Sequence, residues 1–505
     1  MFGSSIPQDQ ENCIKMQRKF LTNLSLLLFL NLLIKPFWVF GIDRTVQNVV
    51  GVEVFGFYFV VFNFSFLFNI LLDLGITNFN NRNIAQNHHL LSKHFSGILL
   101  MKLLLALLYL AVTFFIAIWK YNPDQLKLLA VLAINQFLIS FVLYLRSNIS
   151  GLLMFKTDSF LSVLDRALMI LFCGILLWGH VTSTPFRIEW FVYSQTAAYV
   201  LTALTAFLIV VKKSRFKRLN WNWPFFLMIM KQSAPFALLV LFMTLYTRLD
   251  TVMLGFLLDK KTGNQQAGIY ASGFRLFDAV NMIAYLFSVL LIPVFSRMIK
   301  HKENIERMVK MSFTMIITPA ILVALGSFFY SKELMALLYN AHIQDSASVF
   351  RVLMLGFVAV STTYIFGTLL TANGNLKELN IIACCGLLIS FFFNFFLIPK
   401  FLAIGSAYAS LVTQFTTSVI QVILAVRVFR MKPNFRYLST LLIYILGIVL
   451  LNILSRVFPV HIPLIPEHLG WMGGFILMVI ASVLLAVILR LWSVSALLRI
   501  LRSER

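Results

Sequence analysis

Charged side chains within long apolar stretches are the residues of this chain with the clearest capacity for chemistry. Lys35, Arg248 and Arg275 are the deepest cations, and Arg44 lies near the end of its stretch. A charge at the centre of a membrane costs about 2.5–3.5 kcal/mol on insertion scales, so charges at that depth tend to be functional. Guanidinium groups bind phosphate through two parallel hydrogen bonds. These four residues therefore predict a cationic cavity suited to a diphosphate.

Four aspartates accompany the cations and have two interpretations, as coupling-ion sites or as pairing partners. Arg275 and Asp278 are three residues apart, so they share a helix face and can pair structurally. Asp73 is interpreted either as a boundary partner of Arg82 or as a coupling-ion site. The candidate carboxylates are Asp43, Asp73, Asp250 and Asp278.

For Lys35 and Arg44, the alternative to a cavity role is a position at the membrane boundary. Lys35 lies roughly 22 Å along its helix at ~1.5 Å per residue, so snorkelling competes with a role in the substrate path. Pro36 follows it and predicts a kink. Asp43 and Arg44 fit an outer-face boundary as well as they fit the cavity.

Two further pairs differ in predicted depth. Arg248 and Asp250 lie well inside their apolar stretch, which favours the cavity over a boundary. Asp165 and Arg166 open theirs directly after a basic loop, which favours the membrane interface.

The elements that position these charges are predicted to be membrane-spanning helices. Apolar stretches of roughly 20 residues, enough to cross a ~30 Å hydrocarbon core, run from Phe20 to Trp492. A backbone in lipid must satisfy its own polar groups, so the fold is predicted to be an all-α integral membrane bundle. The fourteen predicted spans are 20–41, 55–76, 97–119, 126–145, 160–178, 189–211, 233–257, 267–293, 311–330, 349–371, 379–398, 402–426, 437–457 and 471–492.

Composition supports a membrane protein and argues against other classes. Hydrophobic residues make up 60% of the chain and charged residues 12%, against ~25% charged in soluble domains. The net charge of +23 belongs to loops between spans, so no nucleic-acid partner is predicted. The four cysteines lack metal-ligand spacing. Neither a metal site nor any other cofactor is predicted.

Lysine and arginine are distributed unevenly between the gaps. They concentrate in the N-terminal tail, after even-numbered spans and after the last span, and they are sparse after odd-numbered spans. The positive-inside rule then predicts that both termini are cytoplasmic. The most basic gap, KKSRFKR at 212–218, separates the two halves of the chain.

The halves share a weak internal repeat. Gly56-Phe57-Tyr58 opens span 2 and Gly268-Ile269-Tyr270 opens span 8; on this offset Phe62 meets Phe274 and Asn69 meets Asn281. Two six-helix bundles in parallel repeat are therefore predicted, with spans 13 and 14 appended. The predicted domains are an N-terminal six-helix bundle (1–211), a basic cytoplasmic linker (212–232), a C-terminal six-helix bundle (233–430), and two extra helices with a cytoplasmic tail (431–505).

This layout resembles polysaccharide flippases of the Wzx type, within the multidrug/oligosaccharidyl-lipid/polysaccharide exporter superfamily. The resemblance covers residues 20–430 and is carried by GFYFVVFNFSFLFNILLDLGITNFNNRNIAQ (56–86) and AGIYASGFRLFD (267–278). Its most specific patches are Leu72-Asp73-Leu74-Gly75-Ile76 and LRSNISGLLMFKTDSFLSVLDR (145–166).

The resemblance implies a fold, a substrate and a setting. The fold is a V-shaped pair of bundles around a central cavity. The activity is translocation of a polyprenyl-diphosphate-linked oligosaccharide from the cytoplasmic to the outer leaflet, by alternating access, for surface polysaccharide such as the O-antigen of lipopolysaccharide. The setting is the bacterial cytoplasmic (inner) membrane, with membrane lipids, a polysaccharide polymerase and glycosyltransferases as partners.

Two other functions compete with a flippase. A cation-coupled multidrug exporter on the same fold would show buried acids without basic companions, whereas here cations at least match the deep carboxylates. A membrane-embedded glycosyltransferase or ligase needs a large extramembrane loop or an acidic catalytic motif. The longest outer gaps, near 331–348 and 458–470, carry neither, so the chain is not predicted to be an enzyme.

Overall fold

Helices joined by short turns build the protein throughout the part of the chain that the computed structural model describes. That part is residues 29–492 without 32, 35, 78–79, 82–83, 85–88, 153, 180, 182–183, 215–222, 304, 433 and 459–468. It contains no strand, and the all-α prediction is confirmed.

The helices are labelled in chain order within the described residues. They are α1 (Trp38–Val50), α2 (Val52–Leu67), α3 (Leu90–Ile118), α4 (Pro123–Gly151), α5 (Phe155–Trp178), α6 (Ile188–Ser214), α7 (Trp223–Leu257), α8 (Lys260–Lys300), α9 (Ile305–Phe329), α10 (Ser331–Leu338), α11 (Ile343–Asn373), α12 (Leu376–Phe429), α13 (Phe435–Val457) and α14 (Trp471–Ile488).

Predicted spans 2 to 14 each overlap one of these helices, although span 2 (55–76) extends beyond the end of α2 at Leu67. Spans 11 and 12 form the two arms of α12, which breaks at Leu402, where φ is 56° and ψ is −137°. Pro399 lies just before this break and cannot supply the amide hydrogen that a continuous helix needs. The short helix α10 lies outside the predicted spans. Residues 20–28 of predicted span 1 lie outside the described residues.

Most of these helices are long and apolar enough to cross a membrane. By length and composition the described chain has ten such helices, or up to eleven if α1 and α2, which meet at an angle of 120°, count as one broken span. Helix α8 is not among the ten, which were counted on the described residues alone. The chain is thus a multi-pass membrane protein.

Local sequence explains where the helices begin and turn. Asn122 begins α4 with a capping box: its side chain accepts from the Gln125 amide at 3.1 Å, and the Gln125 side chain accepts from the Asn122 amide at 3.2 Å. Such a cap contributes about 1 kcal/mol. The turn between α1 and α2 uses Gly51, whose φ of 87° is disfavoured for residues with a Cβ.

The chain divides into two compact units, Met1–Leu241 and Phe242–Arg505. The boundary falls within α7, and residues 223–232 of the predicted linker belong to that helix. Residues 212–214 end α6, and 215–222 lie outside the described residues. The four-part domain division predicted from the sequence stays a prediction.

The internal repeat appears as the same aromatic stack in each unit. The rings of Tyr58 and Phe62 stack in α2 with centroids 5.8 Å apart, and those of Tyr270 and Phe274 stack in α8 at 5.7 Å. The spacing of four residues puts both rings on one helix face. The helices then diverge, since α2 gives way to a 3-10 turn at Asn69–Leu72 whereas α8 continues.

The cytoplasmic placement of both termini stays a prediction that a reporter can test. A fluorescent protein that matures only in the cytoplasm is expected to fluoresce when fused after Arg505, because lysine and arginine follow the even-numbered spans. The same reporter inserted after Phe458, in a predicted outer gap, is expected to stay dark. A dark C-terminal fusion at normal abundance would show that a span was miscounted.

Candidate functional site

A break in helical structure builds a charged cluster inside the first unit. After α2 ends, the chain forms the 3-10 turn Asn69–Leu72 and then enters the left-handed region, with φ of 45° at Leu74 and 80° at Gly75. That conformation costs roughly 1–2 kcal/mol for a residue with a Cβ. The unwound segment also frees backbone carbonyls that a continuous helix would use, so other groups must satisfy them.

Lys102 of α3 and Ser140 of α4 supply the missing donors, and Ser140 Oγ donates to the Leu72 carbonyl at 3.2 Å. The ammonium group of Lys102 donates to the carbonyl oxygen of Leu72 at 3.0 Å and to Ser140 Oγ at 3.1 Å, and it forms an ion pair with Asp73. The side chain of Lys102 is 1% exposed and that of Asp73 is 25% exposed. The hydroxyl group of Thr77 also donates to Asp73. Lys102 therefore ties the unwound segment to α3 and α4.

Lys102 was not predicted from the sequence as the partner of Asp73. Arg82, the partner considered from the sequence, lies outside the described residues. Lys102 is the one charge within predicted span 97–119. A single charge in an otherwise apolar span indicates that it has a partner on another helix. The spacing along one helix could not show that α3 packs beside the break after α2.

Asp43 and Arg44 lie where a π-helical turn, Trp38–Asp43, passes into the regular part of α1. Asp43 is 2% exposed, so its side chain faces the protein interior, and its role stays a prediction. Arg44 is half-buried. Single π turns are rare and concentrate at functional sites. Lys35 lies outside the described residues.

Arg166 is an interior cation that lies deeper in its helix than predicted. Helix α5 begins at Phe155, before the predicted span, so Arg166 falls at the middle of the helix. Its guanidinium carbon lies 5.4 Å from the ring centroid of Trp38, which stacks on Phe191 at 5.7 Å. Arg166 Nε is 3.8 Å from Asp165 Oδ2. The aromatic face and the carboxylate both stabilise this charge.

The second unit joins Arg248 of α7 to Asp278 of α8. Arg248 Nη2 donates to Asp278 Oδ2 at 3.2 Å, and the guanidinium carbon lies 5.0 Å from the ring centroid of Phe274. The side chains are 17% and 40% exposed, respectively. The sequence indicates only Arg275, on the same helix, as a partner of Asp278. The ion pair with Arg248 instead connects two helices, and Arg275 is half-buried on α8.

Asp250 has different surroundings, made of neutral donors. It is 0% exposed, and its carboxylate accepts from the Tyr270 hydroxyl at 2.8 Å and from Asn394 Nδ2 at 2.8 Å. Ser406 Oγ donates to Asn394 Oδ1 at 2.7 Å. Asn394 and Ser406 flank the break at Leu402 in α12. Helices α7, α8 and both arms of α12 therefore meet at this carboxylate.

Three of the four predicted carboxylates thus have separate environments. Asp73 pairs with a lysine, Asp278 pairs with an arginine, and Asp250 accepts from neutral groups. Arg44 belongs to the first unit, whereas Arg248 and Arg275 belong to the second. A single cavity that holds all four predicted cations stays a prediction.

Comparisons with solved structures identify the fold. The chain is similar to the lipid II flippase MurJ in an inward closed conformation, with a TM-score of 0.65 and 14% identity over 94% of this chain and 99% of that one. It is also similar to an inward-facing multidrug resistance MATE family transporter of the MOP superfamily, with a TM-score of 0.60 and 14% identity over 81% and 94% of the two chains. A MOP superfamily transporter from Pyrococcus furiosus gives a TM-score of 0.52 at 14% identity over 83% and 95%.

Comparisons of sequence identify the family. No curated protein matches the chain. A protein-family model described as polysaccharide biosynthesis protein matches residues 21–299, which is more than half of the 505 residues. This region includes the aromatic stacks of both units, the break after α2 and the ion pair between Arg248 and Asp278. The chain therefore belongs to the polysaccharide biosynthesis protein family.

Proposed function

We propose that the protein is a flippase that moves a polyprenyl-diphosphate-linked oligosaccharide from the cytoplasmic to the outer leaflet by alternating access. The observation that carries the proposal is the partly exposed guanidinium group of Arg248, held on the Phe274 ring beside Asp278. An accessible cation deep in an apolar helix suits an anionic substrate. Membership of the polysaccharide biosynthesis family supports a glycan carried on that anion.

The ion pair with Asp278 explains how Arg248 can be stable in the carrier when no substrate is bound. A buried guanidinium group without a partner is strongly unfavourable. Asp278 neutralises Arg248 in the empty carrier, and its 40% exposure gives a competing phosphate access to the pair. Phosphate oxygens then replace the carboxylate as acceptors of the two parallel hydrogen bonds. The polyprenyl tail stays in lipid during this exchange.

Asp250 is the proposed coupling carboxylate of the second unit. Its partners Tyr270 and Asn394 are neutral, so uptake of a proton or a monovalent cation changes the charge of the cluster. Because both arms of α12 contact the cluster, such a change alters hydrogen bonds at the Leu402 break. Asp43 and Asp73 remain the candidates for this role in the first unit.

Replacing Asp250 with asparagine is expected to uncouple transport from an ion gradient. The amide is nearly isosteric but carries no charge, so gradient-driven transport should fall by about tenfold or more, the ratio for ~1.4 kcal/mol. Binding of substrate should stay within about threefold of wild type, since a change this small amounts to under ~1 kcal/mol. Asp124→Asn is the matched control, because that side chain is 80% exposed. Full gradient-driven transport by Asp250→Asn would remove Asp250 from the coupling step.

The proposed activity can be tested with purified protein in liposomes. A polyprenyl-diphosphate-linked oligosaccharide is incorporated, and the glycan that reaches the outer face is measured by its digestion with an added glycosidase. We expect the protein to accelerate this exposure well above that of empty liposomes. Efflux of a cationic dye without exposure of the glycan would instead support the multidrug exporter.

The proposal also sets a place for the protein in glycan assembly. It would act in the bacterial cytoplasmic membrane, between the glycosyltransferases that build the lipid-linked unit and the polymerase that extends it outside. Loss of the gene is expected to stop surface polysaccharide, such as an O-antigen, while lipid-linked units accumulate inside the cell.

A further inference from the structure

A cationic cavity lies in the second unit among the ends of three helices, α9, α13 and α14. It has a volume of about 880 Å³ and is open to the surface. Its walls combine basic side chains with apolar ones. The basic residues are Arg307, Lys310, Arg436 and Arg490, and the apolar ones are Met311, Met315, Leu489, Leu491 and Trp492.

The three helices pack on one another through a shared apolar core that includes Ile321, Leu441 and Met478. Leu489, Leu491 and Trp492, just past the end of α14, pack against this core and also line the cavity. Basic residues at the start of α9, at the start of α13 and after α14 line the opening at that end.

Charge in the cavity is unbalanced. The described lining contains no carboxylate, and none of its four basic side chains forms an ion pair with a described carboxylate. Within the described part of the chain, Lys310 alone of the four has an aromatic partner, since its Nζ lies 5.1 Å from the ring centroid of Tyr437. Like charges around one cavity repel each other, so an anion bound there would be stabilised by all four.

The backbone at Arg490 has a conformation that is unfavourable for arginine. It follows α14 with φ of 54°, and the Leu491 amide donates to the Ala486 carbonyl at 3.0 Å, as in a helix end that usually has glycine at this position. Arginine is strained there, and strain of this kind concentrates at functional positions. The side chain it presents to the cavity offers a reason for the strain.

The position of the cavity along the three helices indicates that its ligand is a lipid rather than a soluble anion. This end of α9, α13 and α14 is on the side that the lysine and arginine distribution predicts to be cytoplasmic. Basic pockets between membrane helices on that side bind anionic lipid headgroups. Met311 and Met315 extend from the basic end into the apolar part of α9, where acyl chains can contact them.

We propose that this cavity binds the headgroup of an anionic phospholipid of the cytoplasmic leaflet. Arg307, Arg436 and Arg490 bind the phosphate, and the two methionines contact the acyl chains. The site is separate from Arg248 and Asp278, and it stands whether or not the protein is a flippase.

The test measures lipid binding to the purified full-length protein by native mass spectrometry. Phosphatidylglycerol is titrated against wild type, an Arg307→Ser/Arg436→Ser double variant, and Arg490→Gly. From the contribution of one basic residue near an anionic surface, affinity should fall about 30-fold in the double variant and about fivefold in Arg490→Gly. The melting temperature of Arg490→Gly should equal or exceed that of wild type, because glycine relieves the positive φ.

Controls separate this site from general charge attraction. Lys212→Ser/Lys213→Ser removes two exposed lysines at the end of α6, also predicted to be cytoplasmic, and should leave the affinity for phosphatidylglycerol unchanged. Phosphatidylcholine should bind weakly to every variant. Should the double variant fail to fold, Arg490→Gly decides alone.

Three results would overturn the proposal. The first is unchanged phosphatidylglycerol affinity in Arg490→Gly. The second is equal affinity for phosphatidylcholine. The third is complete displacement of phosphatidylglycerol by millimolar inorganic phosphate or by a polyprenyl diphosphate, which would identify a free-anion site or a substrate site.

Discussion

Replacing Lys102 with methionine is expected to lower the stability of the first unit by about 3 kcal/mol, the lower end of the range for breaking a buried ion pair. The lower end applies because Asp73 retains 25% exposure, whereas Lys102 is 1% exposed. Methionine preserves most of the side-chain volume, so the loss comes from the unpaired Asp73 carboxylate and from the lost hydrogen bond to the Leu72 carbonyl, which then accepts only from Ser140 Oγ at 3.2 Å. The measurement is thermal unfolding of the purified protein in detergent, together with its abundance in membranes.

A double variant separates the charge from the packing. Adding Asp73→Asn to Lys102→Met removes the orphaned charge, so more than half of the lost stability should return. Lys127→Met is the matched control, since the Lys127–Asp124 pair of the same unit is 80% exposed on both sides and exposed pairs contribute ~0–1 kcal/mol. Equal losses from Lys102→Met and Lys127→Met would contradict a structural role for the buried pair.

The elements of the fold could be predicted because the membrane imposes a length on each of them. A span needs roughly 20 apolar residues, and this rule located the helices from span 2 onward. It even separated the two arms of α12, because Pro399 and Lys400 interrupt the apolar run before the break at Leu402. The length of an apolar stretch does not predict bends inside a span. The π turn at Trp38–Asp43 and the unwound segment after α2 were therefore not predicted.

Partners within the site could be predicted only when they lie on one helix. Asp278 was considered with Arg275, three residues away, whereas its structural partner Arg248 is on the neighbouring helix. Lys102 was missed for the same reason, since its contact with Asp73 depends on how α3 packs. Asn394 and Ser406 were missed because neutral polar residues are common in membrane helices. Only the geometry shows that they surround Asp250.

Reversing the charge of Arg248 is expected to have the largest effect on transport. Arg248→Glu removes charge-assisted hydrogen bonds worth about 1.5–3 kcal/mol each, so transport should fall roughly 10- to 100-fold or more. It also places two carboxylates side by side, which disfavours an anionic substrate further. Arg248→Lys keeps the charge but loses the planar fork, so an intermediate loss is expected. The assay is surface glycan in a bacterial strain that lacks its own flippase, at matched membrane abundance.

A charge swap distinguishes substrate binding from a structural ion pair. The double variant Arg248→Asp/Asp278→Arg restores the pair between α7 and α8 with its polarity reversed. Because the pair is only partly buried, the swap should recover stability. If Arg248 only joins the two helices, glycan output recovers with it. If Arg248 binds the diphosphate on the face of Phe274, output stays low, since the cation now projects from α8. We expect low glycan output from a stable charge-swap variant. Full recovery of glycan output would instead show that the ion pair has a structural role, and Arg275 would be the next cation of the second unit to test.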